Sequence, residues 1–282
     1  MSGTTRIGPA DFEWGTRTFV MGILNVTPDS FSGDGLLGPD GVAAAVAQAR
    51  AMVEQGADLL DIGGESTRPG HAPVDEDEEL RRVIPVVRAV RDAMPKTPLT
   101  IDTTKSAVAT AALDAGADAI NDVWGVDPEH GLSGLAAARG VPIVLMHNRT
   151  EPRYTDLVGE VLADLRRALD AAMVAGVGES NIIVDPGIGF GKTADQNLEL
   201  LRRLEELRAL GRPILLGTSR KSTLGKVLDL PPSERLEATL ATTALGIAAG
   251  VDIVRVHDVA ANVRAARMAD AIVRGTWHEV GA

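Results

Sequence analysis

The chain has 282 residues, 45% of them apolar and 24% charged, which excludes a mini-protein and a disordered main state. With 28 Lys+Arg against 39 Asp+Glu the formal charge is −11, which excludes a general binder of nucleic acid or anionic membrane; any phosphate-bearing ligand has to be met by a few concentrated cations. There is no cysteine, hence no disulfide framework, thiolate metal site or Cys nucleophile, and the 3% of aromatic residues argue against a stacking-based sheet module.

The opening MSGTTRIGPADFEWG lacks the charged-then-apolar pattern of a secretion signal. Residues 1–17 read as a turn or small hairpin ahead of the main fold, placed to plug its bottom. No apolar stretch is long enough to span a bilayer, so a soluble, cytoplasmic protein is expected. From residue 18 onward one cadence recurs: an amphipathic helix, a glycine, then a short apolar run ending in polar residues. The runs are TFVMGIL (18–24), DLLDI (58–62), PLTID (98–102), DAINDV (118–123), VPIVLM (141–146), NIIVD (181–185), RPILLG (212–217) and DIVRV (252–256). Their near-continuous Val, Ile and Leu content predicts strands covered on both faces.

Between the runs, helical faces are predicted from Val42, Val46, Ala49 and Val53, from Leu80, Val83, Val87 and Val90, and from Leu200, Leu204 and Leu207. Pro85 is expected to kink the second helix or mark its effective start. The charge run Glu76–Arg82 reads as a solvated helix beginning. Gly56, Gly116, Gly140, Gly176, Gly211 and Gly250 suit the left-handed position that closes a helix. Eight units averaging about 35 residues predict one (β/α)8 TIM barrel over residues 18–275, followed by a tail at 276–282. An open, doubly wound sheet is the competing architecture.

Every run ends in a polar cluster: LNVTPDSFSGDG (24–35), GGESTRPG (63–70), DTT (102–104), ND (121–122), MHN (146–148), DPGIGFGKT (185–193), GTSRKS (217–222) and RVHD (255–258). In a barrel these meet on the C-terminal rim, where the catalytic groups of such enzymes lie. Asp102, Asn121, Asp185 and Arg255 stand within or at the end of apolar runs, where charge is costly unless paired or used. Two carboxylates and an amide in one cavity suit a heterocycle with several N–H donors, because ionised carboxylates only accept. Arg68, Lys221, Arg255 and His257 supply concentrated cations for an anion. Phe31 and Phe190, both in glycine-rich loops, offer walls for a flat ligand.

Other motifs fail. GIGFGKT (187–193) lacks the first P-loop glycine, since Pro186 stands there, and Lys192 occupies the third position of GxGxxG. It reads as a tight loop leading into the next helix. There is no HExxH and no GxSxG elbow, and His71, His130 and His278 read as surface residues.

The segments GILNVTPDSFS, DIGGESTRPG, IDTT, IND, DPGIGFGKT, SRKS and RVHDV, in register from about residue 13 to 273, resemble the dihydropteroate synthase family of folate biosynthesis, a sulfonamide target. The resemblance implies condensation of a dihydropterin-methyl pyrophosphate with p-aminobenzoate, with Mg²⁺ required. It implies a pterin site of Asp102, Asn121, Met146, Asp185, Gly217 and Lys221, and a pyrophosphate site of Asn25, Arg68, Arg255 and His257, with Asn25 also on the metal. Phe31, Thr67, Pro69, Phe190 and Ser222 would surround p-aminobenzoate. Catalysis would rest on Asp102, Asp185, Lys221, Arg255 and His257, with no covalent enzyme intermediate, in a homodimer formed through the later helices. The first loop departs from the family's commoner DSFSDGG by moving its acid to Asp34, which bears on a loop-ordering contact with Arg68; no role follows for Arg220. Two alternatives stand beside this reading. A pterin-binding barrel that passes a methyl group to a corrinoid protein has no use for SRKS beside RVHD. A catalytically silent copy has no reason to keep Asn25, Asp102, Lys221 and Arg255 together.

Overall fold

The computed structural model describes residues 3–26, 39–65, 74–127 and 131–277. The chain opens with an antiparallel hairpin of β1 (Gly3–Ile7) and β2 (Ala10–Trp14). The eight apolar runs form β3 (Phe19–Asn25), β4 (Leu59–Gly63), β5 (Leu99–Asp102), β6 (Ala119–Asp122), β7 (Ile143–Met146), β8 (Ile182–Asp185), β9 (Leu215–Leu216) and β10 (Ile253–Val256). All pair in parallel, in the order β8-β7-β6-β5-β4-β3-β10-β9, and a parallel bridge from Val184 to Ile214 joins the two ends. The sheet is a closed (β/α)8 barrel. An open doubly wound sheet is excluded, because its strand order would reverse at a switch point.

Among the described residues the α-helices are α1 (Pro39–Glu54), α2 (Glu76–Ala93), α3 (Ser106–Ala115), α4 (Leu132–Arg139), α5 (Leu157–Val174), α6 (Ala194–Arg202), α7 (Ser222–Leu228), α8 (Leu236–Ala248) and α9 (Val259–Val273). The six glycines expected to close helices all have positive φ, between 65° and 114°. Pro85 does not mark the start of α2. Asp75 caps that helix by accepting from the Glu78 amide at 2.8 Å, and the helix runs through the proline. Nor is the charge run wholly solvated: Glu79 is buried and paired with Lys105 at 2.5 Å.

Side chains alternate across each strand. One set, including Leu60, Ile62, Ile101, Ile120, Leu145, Val184 and Val254, packs outward under the helices. The other set faces the barrel axis. Met21, Leu59, Ala119, Val144, Ile183, Leu215 and Ile253 form an inner apolar layer continuous with Ile7, Phe12, Trp14 and Phe19. The hairpin therefore closes the barrel's lower end with an aromatic trio. Phe12 lies 4.8 Å from Phe19 and 5.8 Å from Trp14 between ring centroids. Trp14 Nε1 donates to Thr5 Oγ1 at 2.9 Å, so its burial leaves no orphan donor.

Truncating a buried aromatic leaves a cavity that a barrel floor cannot collapse. Phe12→Ala is expected to lower stability by about 3–5 kcal/mol, read from the shift in urea midpoint at unchanged m value.

Candidate active site

The period-two pattern that builds the apolar layer also builds the site. Moving two residues on from Leu59, Ala119, Val144, Ile183, Leu215 and Ile253 gives Asp61, Asn121, Met146, Asp185, Gly217 and Arg255. Moving two on from Thr100 gives Asp102. Six strands thus carry an apolar residue inward at the floor and a site residue inward above it, and β5 carries Thr100 below Asp102.

Arg255 organises this upper layer. Its Nε donates to Asp61 Oδ2 at 2.6 Å and its NH2 to Asp102 Oδ2 at 2.7 Å. Burial works against its charge, but Asp61 and Asp102 more than offset this and raise its pKa. Asp102 is thus paired with Arg255, yet the pairing leaves something over. Asp102 Oδ1 is buried without a hydrogen-bond partner among the described residues. Burial pushes the Asp102 carboxyl up to about 7 against the pull of Arg255. An acceptor held in that condition gains from a ligand N–H. Asp185, also pushed up by burial, accepts from the Gly187 amide at 2.7 Å, and Gly217 lies open between Asp185 and Arg255.

The neighbouring cavity, about 350 Å³, is bordered by Asn25, Phe190, Gly217, Ser219, Lys221, Ser222, Arg255 and His257. Seven of the thirteen residues that line it carry a role expected from the sequence; Ile23, Gly189, Ser219, Arg220, Pro232 and Arg235 complete the wall. Ser219 Oγ accepts from the His257 amide at 3.1 Å and lies 2.9 Å from His257 Nδ1. When the Ser219 hydroxyl donates to Nδ1, Nε2 is the ring's N–H donor. Lys221 reaches across Gly189 to donate to Ile188 O, and its ammonium sits 4.2 Å from the Phe190 ring centroid. Burial pulls Lys221 down to about 8.

Two loops gain a physical account. Arg220, with no role assigned from the sequence, has φ +57° and makes a two-pronged pair with Asp258 at 2.9 and 2.5 Å. Its amide donates to Thr239 and its carbonyl accepts from Arg235, so the strained corner is fixed from three sides. This ties the loop carrying Lys221 and Ser222 to the loop carrying His257. The 187–193 segment is a tight loop, with positive φ at Gly187, Gly189 and Gly191. A Cβ on Gly187 would lie 1.8 Å from the His147 carbonyl oxygen. Lys192 closes the loop from beneath, donating to Gly187 O and Phe190 O at 3.0 Å each and meeting His147 Nδ1 at 2.9 Å. His147 Nε2 in turn contacts Asp164 at 3.1 Å, and Asp164 also holds Arg149.

Phe31, Thr67, Arg68 and Pro69, as well as Asp34, His71, His130 and His278, lie outside the described residues. Asp61, Ser219, Arg235 and Lys105 were not singled out from the sequence. Asp61 carried the same signal as Asp102, a charge inside an apolar run.

Burial, reinforced by Lys192, pulls His147 down to about 3, so the ring is neutral in the fold. Unfolded, it would take a proton below about 6.5. The unfolded state then binds the extra proton, and stability falls as pH drops from about 6.5 toward 3. His147→Gln, which cannot titrate, is expected to lose about 2 kcal/mol less than the parent between pH 7 and 4.5, by urea unfolding at the two pH values.

Residues 21–257 match the family model described as pterin binding enzyme. The chain is 50% identical over 270 residues to the dihydropteroate synthase of Clostridium beijerinckii, covering 95% of this chain and 99% of the relative. It is 51% identical over 265 residues to that of Bacillus subtilis, covering 94% and 92%. Among solved structures it is similar to the dihydropteroate synthase of Clostridium difficile with pteroic acid, at TM-score 0.89 and 50% identity over 93% of this chain and 98% of that one. It is also similar to the Xanthomonas albilineans enzyme with 4-aminobenzoic acid, at TM-score 0.90 and 42% identity over 96% and 98%. The chain belongs to the dihydropteroate synthase family of pterin-binding enzymes.

Proposed function

We propose that the chain condenses 6-hydroxymethyl-7,8-dihydropterin pyrophosphate with p-aminobenzoate, giving 7,8-dihydropteroate and pyrophosphate. The observation that carries this reading is the buried Asp102 Oδ1, without a partner among the described residues, beside a cavity lined by Lys221, Arg255 and His257. One side accepts hydrogen bonds and the other attracts an anion. Asp102, Asn121 and Asp185 take the N–H edge of the pterin, Lys221 meets its carbonyl side, and Met146 and Gly217 line the ring. Arg255 and His257 hold the pyrophosphate. Phe190 and Ser222 border the place of p-aminobenzoate, as their position on the cavity wall supports.

The reaction needs no protein nucleophile. The bond from the pterin methylene carbon to the pyrophosphate oxygen breaks, and its electron pair leaves with that oxygen. Arg255 and the Nε2–H of His257 stabilise the charge that develops there. Asp102 and Asp185, close to the ring, stabilise the cation left behind. The arylamine nitrogen then forms the new C–N bond with its lone pair and gives up a proton to solvent or to the released pyrophosphate. Much of the acceleration comes from holding amine and methylene in line within one walled cavity.

Asn25, which lines the same cavity as Arg255 and His257, offers an amide oxygen suited to Mg²⁺. Among the described residues no three carboxylates or imidazoles converge to cage a cation, so phosphate oxygens and water would complete its shell. When bound, Mg²⁺ supplies charge neutralisation to the leaving pyrophosphate.

The homodimer reading is supported by α8 and α9, which pack side by side and turn Leu245, Met268 and Ile272 outward at 70%, 62% and 72% exposure. Leu245→Glu with Ile272→Glu is expected to convert a dimer to a monomer in sedimentation; a parent that sediments as a monomer removes this part.

Purified protein is expected to release pyrophosphate only with p-aminobenzoate and Mg²⁺ both present. Release that ignores p-aminobenzoate, or none at all, overturns the reaction assigned here. Lys221→Met is expected to lower kcat/KM by about 100-fold or more in the same assay.

A further inference from the structure

Asp61 is a carboxylate that the chemistry above does not use. It is fully buried, and its strand register pairs it with Thr100 and Gly63 with Asp102, so it sits one inward-facing layer deeper than Asp102. Asp102 in turn pairs with Asn121. Asp61 Oδ2 accepts from Asn121 Nδ2 at 3.0 Å and from Arg255 Nε at 2.6 Å, and Oδ1 accepts from Thr100 Oγ1. All three of its partners are donors.

An amide has one donating end and one accepting end, and a buried amide takes whichever orientation its neighbours impose. An ionised carboxylate only accepts. With Asp61 beneath it, Asn121 must turn its NH2 group down the barrel, which directs its carbonyl oxygen toward the mouth. By the same contact the Nε side of Arg255 is spent within the barrel.

We infer that Asp61 is a specificity-determining positioning residue: by accepting from Asn121 Nδ2 it holds the Asn121 carbonyl toward the cavity, so that Asn121 reads N–H donors on the pterin and refuses acceptors. The inference rests on Asn121 belonging to the pterin site. Asn121, Asp102 and Asp185 then present acceptors in concert, and a ring with an oxo group where pterin has its amino group meets oxygen facing oxygen. Without Asp61 the amide can turn over and the refusal weakens.

The test compares 6-hydroxymethylpterin with its 2-oxo counterpart, 6-hydroxymethyllumazine, by titration calorimetry on the full chain. The parent is expected to prefer the amino compound by about 100-fold or more, because a buried polar mismatch is costly. Asp61→Asn can keep an oxygen toward Asn121 and should hold that ratio within about threefold. Asp61→Leu and Asp61→Val remove the acceptor, and whichever purifies as folded protein should cut the ratio by about tenfold or more. In an Asn121→Ala background the same substitution at Asp61 should leave the ratio where Asn121→Ala put it. If Asp61→Leu or Asp61→Val weakens both compounds equally, Asp61 is a structural residue only and the inference falls. If Asn121→Ala itself leaves the preference untouched, Asn121 does not read the ring; the placement of the pterin fails first, and the role of Asp61 fails with it.

Discussion

The ion triad of Asp61, Arg255 and Asp102 is the constraint around which the barrel mouth is arranged. Three charged groups lie where most (β/α)8 barrels stack Val, Ile and Leu, and each is almost or wholly removed from water. Such an arrangement holds only if every charge meets its opposite at hydrogen-bonding distance, since leaving one partner alone in low dielectric is strongly destabilising. Arg255 answers two carboxylates with one planar group, which a lysine could not do with two separate edges. The consequence is functional: two acids are neutralised by one cation, and Asp102 keeps an oxygen that nothing in the described protein satisfies. The site stores an unmet demand for a donor.

That upper layer depends on the lower one. The polar residues are held rigid because the strands beneath them are pinned by the inner apolar set and the aromatic hairpin plug. Register in a closed barrel cannot slip by one residue without turning Asp61, Asn121, Asp185 and Arg255 outward into the helix layer. Packing at the bottom and chemistry at the top are therefore two readings of one alternation. The tight loops finish the work at the rim. Lys192 holds the Gly187–Phe190 turn by its carbonyls, and Arg220 clamps its own strained corner to Asp258.

Much of this was legible in the sequence, for identifiable reasons. Eight apolar runs, each after a glycine, specify eight strands because both faces of a barrel strand are covered and because those glycines take left-handed φ at helix ends. Polar and charged residues within or at the ends of apolar runs pointed to Asp102, Asn121, Asp185 and Arg255, all of which face the barrel axis. Asp61 was passed over although, like Arg255 in DIVRV, it stands one residue from the end of its run; the carboxylate at the very tip of PLTID drew the attention instead. Glu79 escaped for a different reason. A run of acids at a helix start reads as solvated, and only the fold shows that one of them turns inward to Lys105. Pro85 misled through a local rule; capping by Asp75 and an apolar face through Val83, Val87 and Val90 outweigh one missing backbone donor.

Ser219, Lys192 and Arg220 could not have been placed by pattern, since the side chains they meet, His257, His147 and Asp258, lie 38 to 45 residues away. What their contacts share is that each sets another group's orientation. Ser219 sets the imidazole of His257, Lys192 the carbonyls under Phe190, and Arg220 the backbone on which Lys221 stands. Groups that touch a ligand can be recognised by being costly where they stand. Groups that aim them have their hydrogen bonds met by their partners, and so carry little visible anomaly in a sequence. Asp61 belongs to both kinds: costly by burial, satisfied by three donors, and set one layer behind the residues that face the cavity.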